Sequence, residues 1–152
     1  MDRFVKAVKH GYQISEHFWL YEGECQCADK GLSIHEGFCG GAVIWDLKLL
    51  LLLERIRERC GRVVIESLYR CWKYHEHIYL PKKPTEASAH LTGEAADFRS
   101  LAPLVMPDDE DFLVTNGCRG IGYHSKHGQV PGLITHVDTK GDKVRKWDYS
   151  VG

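Results

Sequence analysis

Ser88-Ala89-His90-Leu91-Thr92-Gly93-Glu94-Ala95-Ala96-Asp97 is the stretch on which the reading of this chain turns. It sets a histidine and an aspartate seven positions apart, joined by mostly small residues. Gly93 permits a tight chain reversal, and Ala95 and Ala96 permit close packing, so that Asp97 can return to the point where His90 lies. Downstream, Thr135-His136-Val137-Asp138 supplies a second imidazole. Two imidazoles and one carboxylate make a common three-ligand shell for a catalytic zinc, with a position left open for water. A lone histidine is more often structural than catalytic. The ordered set of His90, Asp97 and His136 is what points to a metal.

Outward from this stretch the elements read as follows. Asp46 is placed to N-cap a helix over Leu47 to Cys60, which Gly61 ends. Leucine at five successive positions, Leu49 to Leu53, predicts burial of its first half. Arg62 to Ser67 reads as a strand and Tyr69 to Pro84 as a long connection, with His75 and His77 taken as loop residues along with His127. Glu94 to Arg99 suits a strand, and Pro107 and Asp108 open a short helix that Gly117 closes. Gly120 to Tyr123 and Leu133 to Asp138 read as strands, with Val144 to Trp147 an edge strand. Met1 to Cys27 reads as irregular apart from a short extended element over Ile14 to Phe18, and the glycines of Ala28 to Ile44 predict loop. Helices and strands are segregated, so the expected fold is α+β: one domain over residues 1–152, a small antiparallel sheet with flanking helices.

Composition narrows the function classes. Hydrophobic residues are 43% and charged residues 27%, which argues against disorder throughout. A formal net charge of −1 is no electrostatic footprint for nucleic acid. The greasiest run, Leu49 to Leu53, is too short to span a bilayer. Met1 to Leu20 has no continuous apolar core of the secretory type, so a cytoplasmic location at synthesis is expected.

Several segments together resemble one family. The pattern Ser-x-His-x-x-Gly-x-Ala-x-Asp at Ser88 to Asp97, followed by His136-Val137-Asp138, is similar to that of the zinc D-Ala-D-Ala carboxypeptidases. That family includes peptidoglycan endolysins and shares its fold with the hedgehog signalling domain. Ser67-Leu68-Tyr69-Arg70-Cys71 resembles the family's Ser-Gly-Tyr-Arg segment, with Leu68 in place of glycine. Glu24-Cys25-Gln26-Cys27 and Gly120-Ile121-Gly122-Tyr123 resemble two further segments, in the family's order. The resemblance implies a monomeric zinc peptidase of the hedgehog/DD-peptidase fold acting on peptidoglycan stem peptides. It would reach the cell wall on release or as a phage enzyme. Zinc would be held by His90, Asp97 and His136; Arg70 would grip a carboxylate or an oxyanion, with Ser88 and Tyr123 near the substrate.

One departure matters. Many family members carry an acid three residues before the last histidine ligand, where this chain has Leu133. Asp138, two residues from His136 on a strand, faces the same way and is either the proton-transfer carboxylate or a partner that orients a ligand. His124 is another acid–base candidate. A domain that keeps zinc but serves only for binding is the alternative that Leu133 supports. The six cysteines read first as free thiols, then as a structural zinc site on Cys25, Cys27, Cys39 and His35, then as disulfides.

Overall fold

The computed structural model describes the backbone of residues 3–5 and, in full, residues 12–124 and 130–149; His127 lies outside them. The architecture is α+β. Strands β3 (Val63–Ser67), β4 (Ala95–Ser100), β6 (Ile134–Asp138), β5 (Gly120–Tyr123) and β7 (Arg145–Asp148) form a five-stranded sheet in that spatial order. A separate two-stranded sheet pairs β1 (Arg3–Val5) with β2 (Ile44–Asp46). The α-helices among the described residues are α1 (Leu47–Cys60), α2 (Trp72–Tyr79) and α3 (Glu110–Thr115), and short 3-10 turns cover Leu20–Gly23, Ile34–Glu36 and Ala89–Thr92. None of the helices among the described residues is long and apolar enough to cross a membrane.

The large sheet is mixed, where an antiparallel one was expected. β5 pairs in parallel with β7, and every other pairing in the sheet is antiparallel. After β6 the chain crosses the end of β5, where Arg145 N–H donates to the Arg119 carbonyl at 2.7 Å, and returns on β5's far side. Skipping one strand makes β7 antiparallel to β6 and therefore parallel to β5.

The core lies on one face of this sheet. Leu49, Leu52, Leu53 and Ile56 of α1 pack with Val63, Ala96, Phe98, Ile121 and Val137 of the strands. Each of the larger side chains in this set contributes about 1.5–3 kcal/mol on full burial. The leucine run behaves as expected except at Leu51, which the helical period turns to solvent. The ends of α1 fall where Asp46 and Gly61 set them, Gly61 adopting φ +79°. Asp46 does not cap through its side chain, however. Its fully buried carboxylate instead accepts a hydrogen bond from Thr139 Oγ1 at 3.3 Å.

Three further expectations need correction. The Tyr69 to Pro84 connection contains α2, capped by the Cys71 sulfur, which accepts from Tyr74 N–H at 3.4 Å. Ile14 to Phe18 forms no strand, because Glu54 of α1 captures its polar groups: Ser15 Oγ donates at 2.6 Å and His17 N–H at 2.8 Å. The leading segment is not irregular throughout, since β1 lies in it.

Candidate metal centre

The other face of the sheet carries the polar cluster. In an antiparallel pair, directly opposed residues share a face. Asp97 of β4 is opposite His136 of β6, Ala95 is opposite Asp138, and Ser67 of β3 is opposite Asp97. Gly120 and Gly122 of β5 oppose Asp138 and His136. Glycine is required at position 120, because a Cβ there would overlap the Asp138 carboxylate.

His90 comes from a short 3-10 turn, Ala89–Thr92, in front of β4. Ser88 caps this turn, its Oγ accepting from His90 N–H at 3.3 Å. Gly93 ends it in the left-handed region at φ +70°. A side chain at that position would overlap the Ile44 carbonyl, so both backbone freedom and close approach call for glycine.

Ligand atoms of His90, Asp97 and His136 all lie within 4.8 Å of one another, so the three could hold a metal ion. His90 Nε2 is 3.4 Å and His136 Nδ1 2.9 Å from Asp97 Oδ1. Atoms bound to one tetrahedral zinc at 2.0–2.1 Å are separated by about 3.4 Å, so these distances are of the right size. The remaining ring nitrogens have partners of their own. His90 Nδ1–H donates to the Leu68 carbonyl at 2.7 Å, which leaves Nε2 as the electron-pair donor. His136 Nε2 is 3.2 Å from Asp138 Oδ2, which leaves Nδ1 facing Asp97. A ligating histidine whose second nitrogen is held by a carboxylate or carbonyl is the usual arrangement at metal sites.

The electrostatics follow from this crowding. Burial alone would raise Asp97, but hydrogen bonds and charge from His136 and His90 hold its carboxyl well below the usual range. Burial lowers His90. Burial would also lower His136, yet its place between Asp138 and Asp97 raises it above the ordinary histidine value. Asp138 is lowered: burial opposes ionisation, and contact with His136 and Arg145 outweighs it.

Arg70, also buried, donates from Nη2 to Asp97 Oδ2 at 2.9 Å and from Nε to Ser67 Oγ at 3.0 Å. Its backbone N–H donates to the His90 carbonyl at 3.1 Å, tying the Arg70 corner to the candidate ligands. Arg70, His90, Asp97, His136 and Asp138 line a cleft of about 430 Å³ together with Ser88, His75, Tyr79, Trp147 and Tyr149. Trp147 packs at a tilt against His136, with ring centroids 4.9 Å apart and planes at 56°.

Two expected site residues lie elsewhere. Tyr123 packs against the main core, and His124, just beyond β5, sits 3.9 Å from Asp148; neither lines this cleft. The alternation of β5 explains Tyr123: its glycines face the site, so Ile121 faces the core, and the bulge after Gly122 sets Tyr123 opposite Ile134. Conversely, His75 was read as a loop residue and is in fact buried on α2 against the cleft. Both of its ring nitrogens are shut off from solvent, with the Thr85 backbone beside the ring. Only a helical reading of Trp72 to Tyr79 could have signalled this.

Comparison of the chain with family models, curated proteins and solved structures gives no match.

Proposed function

We propose that the protein is a zinc metallopeptidase that hydrolyses peptide bonds in peptidoglycan stem peptides, at D-Ala-D-Ala or L-Ala-D-Glu. The observation that carries this reading is the convergence of His90, Asp97 and His136 on one point in an open cleft, with Arg70 against Asp97. The donor set of two nitrogens and one carboxylate oxygen suits zinc at a catalytic site. Zinc bound there supplies a Lewis acid that activates water and polarises the scissile carbonyl.

The chain's own residues do the rest. Arg70 anchors Asp97 and presents its guanidinium to the cleft, where it can bind a substrate carboxylate or a developing oxyanion. Asp138 fixes the ring of His136; its other oxygen accepts from Lys140 N–H at 3.1 Å and pairs with Arg145. With both oxygens committed, Asp138 serves as the partner that orients a ligand. Tyr79, Trp147 and Tyr149 supply apolar walls for a peptide.

A second reading, a zinc-retaining binding module of the same fold, is favoured by one observation. The carboxylates of the cleft are Asp97 and Asp138, and both are engaged. Digestion of purified peptidoglycan with and without chelator, followed by mass spectrometry, separates the two. New termini that depend on metal establish the peptidase and identify the bond. Peptidoglycan that is bound but left intact, by protein that still holds the zinc lost in His90→Ala, favours the binding module.

A further inference from the structure

We propose that Cys25, Cys27, Cys39 and Cys71 form a second metal site, a tetrathiolate centre for one zinc ion with a structural role. Their sulfurs all lie within 4.8 Å of one another. Cys25 Sγ is 3.8 Å from Cys71 Sγ, and Cys27 Sγ is 3.4 Å from Cys39 Sγ. Zinc–sulfur bonds of 2.3 Å at tetrahedral angles separate the sulfurs by about 3.8 Å. An iron–sulfur cluster interposes several atoms between its cysteines and holds them farther apart. Two disulfides would account for two close pairs, but they do not require all four sulfurs to converge.

The backbone around the sulfurs is arranged for negative charge. Cys71 N–H points at Cys25 Sγ, Ala42 N–H at Cys39 Sγ and Tyr74 N–H at Cys71 Sγ, each at 3.4 Å. Gly40 and Gly41 both have positive φ, +75° and +87°, and so turn Ala42 N–H back onto the Cys39 sulfur. Such donors stabilise ligating thiolates as they do other metal ligands. Cys71 stands at the start of α2, where the helix dipole also favours an anion.

The packing gives the site a purpose. The buried members of this satellite core are Cys25, Cys27, Cys71, Phe38 and Tyr74. So small an apolar set has little to hold the loop between Cys27 and Ala42 in place, and small folds of this kind are commonly completed by a metal. The ion would staple that loop to Cys71, the neighbour of Arg70. His35, once a candidate ligand, is exposed and outside the group.

The test is metal stoichiometry, which needs no activity and so fails independently of the peptidase reading. Full-length protein purified under reducing conditions should contain about two zinc ions per chain, one for each donor set. His90→Ala should remove one, and Cys27→Ser the other. If Cys27→Ser fails to fold, cobalt-loaded His90→Ala protein reads the site with every cysteine intact. It should show the intense sulfur-to-cobalt charge-transfer absorption of a tetrathiolate site. Absence of that absorption overturns the proposal, as does a wild-type protein whose only zinc is lost in His90→Ala. A non-reduced mass lighter by two hydrogens per bridge, assigned to Cys25–Cys71 and Cys27–Cys39, also overturns it.

Discussion

Replacing His75 by phenylalanine should remove a defined part of the acid sensitivity of the fold. The ring is 1% exposed and packs against Trp72 and Tyr79, with centroids 6.1 and 5.0 Å away. Burial, reinforced by the Arg70 charge, pushes its imidazole from 6.5 down to about 4. The folded protein therefore keeps His75 neutral over a range in which the unfolded chain takes up a proton. Its contribution to stability is whole above about pH 6.5, declines as pH falls, and levels off below about pH 4, where both states are protonated. At about 1.4 kcal/mol for each tenfold change in proton affinity, the loss across that window is about 3 kcal/mol. Phenylalanine takes up no proton. At neutral pH both states are neutral and phenylalanine keeps the ring's packing, so the variant should match wild type to within about 1 kcal/mol. Urea unfolding of both proteins after chelator treatment, from about pH 7 to about pH 4, measures the difference. Protonation of groups remote from His75 is common to both proteins and drops out of the comparison. The variant should gain on wild type as pH falls; parallel curves would refute the argument.

Arg70→Lys should retain zinc yet lose most activity in a peptide-release assay, because an ammonium cannot hold Ser67 and Asp97 together as the planar guanidinium does; wild-type kinetics would take Arg70 out of the site. Asp138→Asn should weaken zinc about 10–100-fold by competition with a chelator, as loss of a ligand's carboxylate partner does. If zinc is held normally while activity falls about 10²–10⁴-fold, Asp138 is instead the proton carrier. Gly93→Ala should cost about 2–5 kcal/mol in thermal or urea unfolding, from the left-handed φ and the overlap with Ile44 together. Dialysis at decreasing pH should release the His90–Asp97–His136 metal, since both imidazoles must be deprotonated to bind; release that rises with pH would contradict this ligand set.

What was legible in the sequence is what local chemistry specifies. Asp46 and Gly61 bracket α1, the small residues around Gly93 announce the turn behind His90, and the apolar runs mark β3 to β6. α2 escaped because its cap is Cys71 rather than Ser, Thr, Asp or Asn, and because its buried positions are Tyr74 and His75 rather than aliphatic residues. The parallel placement of β7 depends on which way a six-residue connection crosses β5, and no local pattern records that. Cys71 could not be joined to Cys25 by spacing, since 46 positions separate them. The commitment of both Asp138 oxygens likewise depends on Arg145, which only the sheet brings near.

The sheet separates core from chemistry through two irregularities in register, and these explain why the site tolerates so hydrophobic a neighbourhood. Between Ile65 and Ser67 the β3–β4 pairing shifts, so that Ile65 meets Phe98 in the core while Ser67, not Glu66, stands opposite Asp97. Without that shift a glutamate would face the candidate ligand, and like charges directly opposed are unfavourable. Glu66 instead reaches Arg99 at 2.9 Å. On β6 the shift at Thr135 lets Ile134 join the core although His136, two residues on, faces the cleft. Strict alternation would have placed both on one side. The two shifts flank the Asp97–His136 pair on opposite edges, each turning one residue so that polar groups collect on one face and aliphatic ones on the other. Bulges beside functional sites re-aim side chains in this way. Here they make the three-residue donor set compatible with a continuous core a single strand's thickness away.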